Sequence, residues 1–154
     1  MDLREVLTTT KVAELTLKSV PILSPRDSVA RAASEMREHS HGSALICDGG
    51  KLVGVFTERD LLRFIAGGKA MQTTLDGVMT AQPRTIRSED TLLTVVQLMD
   101  QGGYRRLPVV DVAGAPAGIV DVKTVMHFLV EHFPAGVYNQ ASHAHQLAKD
   151  AEGA

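Results

Sequence analysis

The sequence contains no tryptophan, two tyrosines, four phenylalanines and one cysteine, and each shortage removes a class of function. Aromatic side chains make up 4% of the chain, too few for a platform on which nucleic-acid bases could stack. Sixteen Lys and Arg against eighteen Asp and Glu give a formal charge of -2, so there is no broad basic footprint for DNA or RNA. The single Cys47, inside the apolar run Ala44-Leu45-Ile46-Cys47, rules out an intramolecular disulfide and a four-cysteine zinc site, and reads as core filler. No apolar run approaches the ~20 residues of a membrane-spanning helix, and Met1-Asp2-Leu3-Arg4-Glu5 puts charge where a secretory leader needs an apolar stretch. A cytoplasmic protein is expected. There is no phosphate-binding P-loop, no dinucleotide fingerprint and no nucleophile with a base and an orienting partner, so no enzyme and no cofactor are expected. The histidine pairs His39/His41 and His143/His145 read as solvated residues of a helix exit and of a polar tail, not as a metal site.

What the chain does have is a repeated pattern. Residues 1–13 are a polar, Thr-rich lead-in. Val20-Pro21-Ile22-Leu23 reads as a short strand stopped by Ser24-Pro25-Arg26-Asp27, and Val29, Ala32, Ala33 and Met36 then fall at i, i+3, i+4 and i+7, one buried face of a helix. Ala44–Cys47 and Lys51–Phe56 predict a hairpin around Asp48-Gly49-Gly50, followed by a helix over 57–65 that Gly67-Gly68 ends. Adding 63 places Leu92, Val95, Val96 and Met99 on the first helix face; an offset of 64 places Gly118, Ile119 and Val120 on Gly54, Val55 and Phe56. Each unit is β-α-β-β-α, over 14–68 and 75–133, joined by a linker at 69–74 and followed by a tail at 134–154. Repeats of this size are marginal alone and need each other's cover. The fold class expected is α+β.

One stretch carries chemistry. Gly54-Val55-Phe56-Thr57-Glu58-Arg59-Asp60 predicts a strand that turns directly into a helix with Asp60 in its first turn. The same spacing has two readings. Thr57 and Asp60 can form a capping box that only closes the helix, or the carboxylate can accept from a sugar diol while the helix start attracts phosphate. The second copy reads Asp121-Val122-Lys123-Thr124, which can still cap but has Thr124 where the first has Asp60.

Taken together, Gly54–Leu62, the strand Arg106-Leu107-Pro108-Val109-Val110-Asp111, Gly118-Ile119-Val120 and the helices before each hairpin resemble a tandem pair of CBS domains, named after cystathionine beta-synthase and often called a Bateman module. The likeness covers about 120 residues and is to a stand-alone, bacterial-type protein of that family. It implies two β-α-β-β-α repeats packed about a pseudo-twofold axis, with two related clefts that in this family commonly hold adenosine derivatives. It implies a regulatory module that binds an adenine nucleotide (AMP, ADP or ATP), signals occupancy to a partner protein and pairs as a homodimer. Another adenosyl compound such as S-adenosylmethionine, or a dimerisation module without a ligand, are the alternatives.

Carried over by position, Asp60 would meet the ribose, and Thr57 with Glu58 and Arg59 the ribose or first phosphate. Arg105 and Arg106 suit phosphate through their guanidinium forks. Met79 and Arg84 would line the base pocket. His41, Gly42, Asp121 and Thr124 would belong to a second, degenerate cleft. Apolar Leu61, Leu62 and Ile65 with Val125, Phe128 and Leu129 are the expected pairing surface.

Overall fold

A computed structural model of the chain describes residues 2–132; His143, His145 and the tail around them lie outside the described residues. In the first repeat, β1 (Ile22–Leu23), α2 (Val29–Glu38), β2 (Ser43–Asp48), β3 (Lys51–Thr57) and α3 (Glu58–Ala66) follow a short α1 (Leu3–Thr9). The second repeat holds β4 (Thr80–Ala81), α4 (Leu92–Gly102), β5 (Arg106–Val110), β6 (Pro116–Asp121) and α5 (Val122–His132). Both copies therefore realise β-α-β-β-α. No helix of the described residues is long and apolar enough to cross a membrane.

Contacts group these elements in a way that cuts across the repeats. One compact unit takes Leu17–Ser88 with Arg106–Val120, and so contains β1 to β5 and β6 up to Val120, with α2 and α3. The other takes residues 2–16, 89–105 and 121–132, which hold α1, α4 and α5.

In the strand unit, β1 pairs parallel with β2, β2 antiparallel with β3, and β3 antiparallel with β4. The β2–β3 turn needs two residues of positive φ, and Gly49 (58°) and Gly50 (78°) supply them without a Cβ penalty. Side chains alternate across β2, and both faces are covered. Ala44 and Ile46 face α2 and α3 through Val29, Ala32, Met36, Phe56 and Phe64. Leu45 turns the other way and packs with Val20, Val55 and Ile119. Through Ile119 the β5–β6 hairpin, a separate two-stranded sheet, packs on the four-stranded sheet: alone, that hairpin would leave an apolar face wet.

The offset of 64 between the repeats also locates the counterpart of β1. β4 is not the counterpart of β1, because it pairs with β3. The counterpart of the parallel pair Ile22–Leu45 is the isolated parallel bridge Ile86–Val109, 64 residues on.

In the helical unit the lead-in is tied to α4. Val12 N–H donates to the Asp90 carbonyl (2.9 Å), and Leu92 N–H to that of Thr10 (2.9 Å). Thr91 caps α4 by accepting from Thr94 N–H. On α5, Val125 is buried at 5% and Phe128 and Leu129 are half-buried, whereas Val122, Met126 and Val130 are exposed at 45%, 45% and 51%. They recur every fourth residue and so share a helix face. On α3, Leu62 and Ile65 are exposed at 68% and 55%.

Candidate functional site

β3 delivers Thr57 to the start of α3 because Val55 and Phe56 are buried in the sheet. Thr57 then leaves the ladder in an extended conformation and becomes the helix cap. Its hydroxyl accepts from Asp60 N–H (3.3 Å). Asp60 Oδ2 in turn accepts from Thr57 N–H (2.9 Å) and from the Thr57 hydroxyl (3.1 Å). The capping box is thus complete. It uses one carboxylate oxygen; the other, Oδ1, accepts a longer bond from the Thr80 hydroxyl at 3.5 Å. Glu58 N–H donates to the Gly42 carbonyl at 3.0 Å, so two of the first three amides of α3 are already engaged.

The second copy builds the same box with its two side chains exchanged. Asp121 Oδ1 accepts from Thr124 N–H (2.8 Å) and the Thr124 hydroxyl (2.9 Å), and Asp121 N–H donates to Thr124 Oγ1 at 3.5 Å. The backbone bond repeats too, since Val122 N–H donates to the Arg105 carbonyl (3.2 Å) as Glu58 does to that of Gly42. Both helices are capped; what differs is whether the acid stands before the helix or within its first turn.

Two glycines let side chains close in on the first junction. A Cβ at Gly54 would lie 2.5 Å from Met79 Sδ and 3.1 Å from the Thr80 carbonyl, so the absence of a side chain allows Met79 to lie across β3. The pairing of Val55 with Thr80 then sets Thr80 beside Asp60. A Cβ at Gly42 would lie 2.7 Å from an Arg106 guanidinium nitrogen and 3.1 Å from Glu58 Oε1. Glu58 is exposed and Arg106 half-buried. Gly42, expected in the second cleft, therefore adjoins two residues expected in the first.

The other expected residues stand as follows. Arg59 and Arg84 are exposed, on the first turn of α3 and between β4 and Ile86. Arg105 is exposed, and it belongs with Asp121 and Thr124 to the helical unit. His41 Nδ1 lies 3.3 Å from the Ser43 hydroxyl. It helps to line a groove of about 390 Å³ between α2 and α3 with Met36, Arg37, Ser40, Glu58 and Leu61. His39 pairs with Glu35 at 3.6 Å. Cys47, near the end of β2, is half-buried instead of in the core, and burial raises its thiol pKa. Among the described residues, no group of three or more His, Cys, Asp or Glu could hold a metal.

Thr80 is the residue that sequence reasoning missed. Its only signal is adjacency to Met79, because β4 is two residues long and too short to show an alternating pattern.

The chain is similar to known proteins in sequence and in fold. A CBS domain family model matches residues 12–67 and again 75–131. An uncharacterized 17.7 kDa protein of Acidianus ambivalens is 28% identical over 79% of this chain and 74% of its own length. Other matched relatives are longer, and the chain spans 23% and 33% of two of them. Among solved structures, the CBS domain pair of protein MJ0100, in complex with 5-methylthioadenosine and S-adenosyl-L-methionine, is 26% identical with a TM-score of 0.71, covering 78% of this chain and 99% of that one. A CBS domain protein of Pyrobaculum aerophilum complexed with AMP has the same fold at 20% identity and a TM-score of 0.68, over 74% of this chain and 88% of that one. With both repeats matched over most of the chain, this protein belongs to the CBS domain family.

Proposed function

We propose that the chain is a regulatory module, without catalysis of its own, that binds an adenine nucleotide at the β3–α3 junction of its first repeat. The observation that carries this reading is the Asp60 carboxylate. Oδ2 is held by Thr57, which fixes the side chain's rotamer, while Oδ1 has, among the described residues, only the 3.5 Å bond to Thr80. A carboxylate so positioned can accept from a ribose hydroxyl without giving up the helix cap. Met79 over Gly54 supplies an apolar wall for a base, and Arg106 beside Gly42 a cation for phosphate. The AMP complex of the Pyrobaculum aerophilum protein supports the ligand class.

A second ligand is favoured by one observation: the 26% identical MJ0100 pair holds 5-methylthioadenosine and S-adenosyl-L-methionine. Both ligand types share the adenosine that Asp60 and Met79 would recognise.

The module acts as a cytoplasmic homodimer, with Leu62 and Ile65 of α3 in the pairing surface. It signals to a partner protein by having different affinities for ligand in two states. A thermal-shift screen with adenosine, AMP, ADP, ATP, 5-methylthioadenosine and S-adenosylmethionine tests the reading. A ligand that binds the native state raises the midpoint with concentration. No shift with any of the six at millimolar concentration contradicts the proposal and leaves dimerisation as the module's role.

A further inference from the structure

We infer that Glu58 limits the number of phosphates the site accepts, so that AMP binds more tightly than ATP. The inference rests on the proposed adenosine site and concerns the end of it that faces Arg106. There the Glu58 carboxylate and the Arg106 guanidinium converge on Gly42, whose missing side chain leaves room for both. They do not close into an ion pair. Glu58 is also held from behind, since its N–H donates to the Gly42 carbonyl and fixes the first residue of α3 against β2.

The electrostatic consequence follows from counting charges. At Gly42 itself one guanidinium stands against one carboxylate, with no formal surplus of positive charge; the next cation, Arg37, lines the groove beyond. The helix start adds little, because the Glu58 and Asp60 amides are bonded to Gly42 and Thr57. A single phosphate can take up Arg106 if the Glu58 carboxylate swings away. The groove beyond it, where Arg37 and His41 also stand, gives the carboxylate somewhere to go. Each further phosphate adds negative charge near that carboxylate and gains no second cation at Gly42. Glu58 is exposed, so solvent screens the repulsion and its effect is graded, not absolute.

The test is calorimetry at fixed ionic strength with adenosine, AMP and ATP, on the unaltered protein and on Glu58→Gln and Glu58→Ala. The cap does not involve the Glu58 side chain, so both variants keep the Thr57–Asp60 box. Affinity is read as a ratio to that for adenosine, which cancels any general loss of the site. The unaltered protein should prefer AMP to ATP by about tenfold. Both variants should raise the AMP ratio about threefold and the ATP ratio about tenfold, so that the preference narrows. Unchanged or lowered ratios in a protein that still binds adenosine overturn the inference alone. Absence of adenosine binding in the unaltered protein overturns the proposed site, and the inference with it.

Discussion

Asp60 Oδ2 accepts from both the backbone N–H and the hydroxyl of Thr57, at 2.9 and 3.1 Å, whereas among the described residues Oδ1 meets only the Thr80 hydroxyl, at 3.5 Å. In the proposed site, capping and ligand binding draw on different oxygens of one carboxylate. Substitutions at Asp60 can separate the two roles. Asp60→Ala removes both and should lower stability by about 1 kcal/mol, the usual cost of a lost cap, which shifts the thermal midpoint by a few degrees. Asp60→Asn keeps an acceptor for Thr57 and should hold the midpoint closer to that of the unaltered protein. Its nucleotide affinity should still fall about tenfold, because a hydrogen bond to a neutral amide is weaker than one to a carboxylate. Denaturation curves of both variants with and without AMP measure the difference.

Gly54 and Gly42 should respond oppositely to alanine. At Gly54 a Cβ meets Met79 Sδ at 2.5 Å and the Thr80 backbone at 3.1 Å, and backbone cannot step aside. Gly54→Ala should cost roughly 1–3 kcal/mol and reduce binding through the displaced Thr80. At Gly42 the obstacles are the ends of two long side chains. Gly42→Ala should leave stability nearly unchanged while altering the AMP-to-adenosine affinity ratio. Equal destabilisation in urea would contradict this assignment.

Arg106→Gln should weaken AMP about tenfold relative to adenosine, as expected for one charge-assisted contact of roughly 1.5–3 kcal/mol. Calorimetry with both ligands checks it. An equal loss for both would make Arg106 a support of the fold and not a phosphate contact.

Leu62→Lys on α3 and Met126→Lys on α5 each put a charge on an exposed apolar helix position, where folding should tolerate it and pairing should not. Light scattering at tens of micromolar should give a dimer mass for the unaltered chain and a monomer mass for Leu62→Lys. A monomer in the unaltered protein removes the pairing proposal.

Burial keeps the Cys47 thiol protonated to higher pH than a free cysteine. Iodoacetamide should label it more slowly than glutathione near pH 8.5. Because the folded-state pKa lies above the unfolded one, the associated stabilisation is complete below the unfolded value. It is lost as pH rises through the folded value.

Much of this fold was legible because its signals are local. Val29, Ala32 and Met36 are buried as the helical period required. Gly49 and Gly50 make the turn their backbone freedom suited, and an offset near 63 carried the pattern across. What escaped was long-range. Thr80 gains its place through a two-residue pairing with β3, which leaves no periodic trace. On α5 the sequence did not show which apolar residues face inward: Val125 is buried, while Val122, Met126 and Val130 are exposed. The cap at Thr57 and Asp60 was written in the sequence, but its division between two oxygens was not, since that depends on where Thr80 stands.

The central claim is that the adenosine site lies at Thr57 and Asp60 and not at the exchanged pair Asp121 and Thr124. Calorimetric titration of AMP into the unaltered protein, Asp60→Asn and Thr124→Ala tests it most directly. The account predicts about one tight nucleotide per chain, weakened about tenfold by Asp60→Asn and retained by Thr124→Ala. Unchanged affinity in Asp60→Asn, or loss of binding in Thr124→Ala alone, would contradict it and leave Asp60 as a helix cap and nothing more.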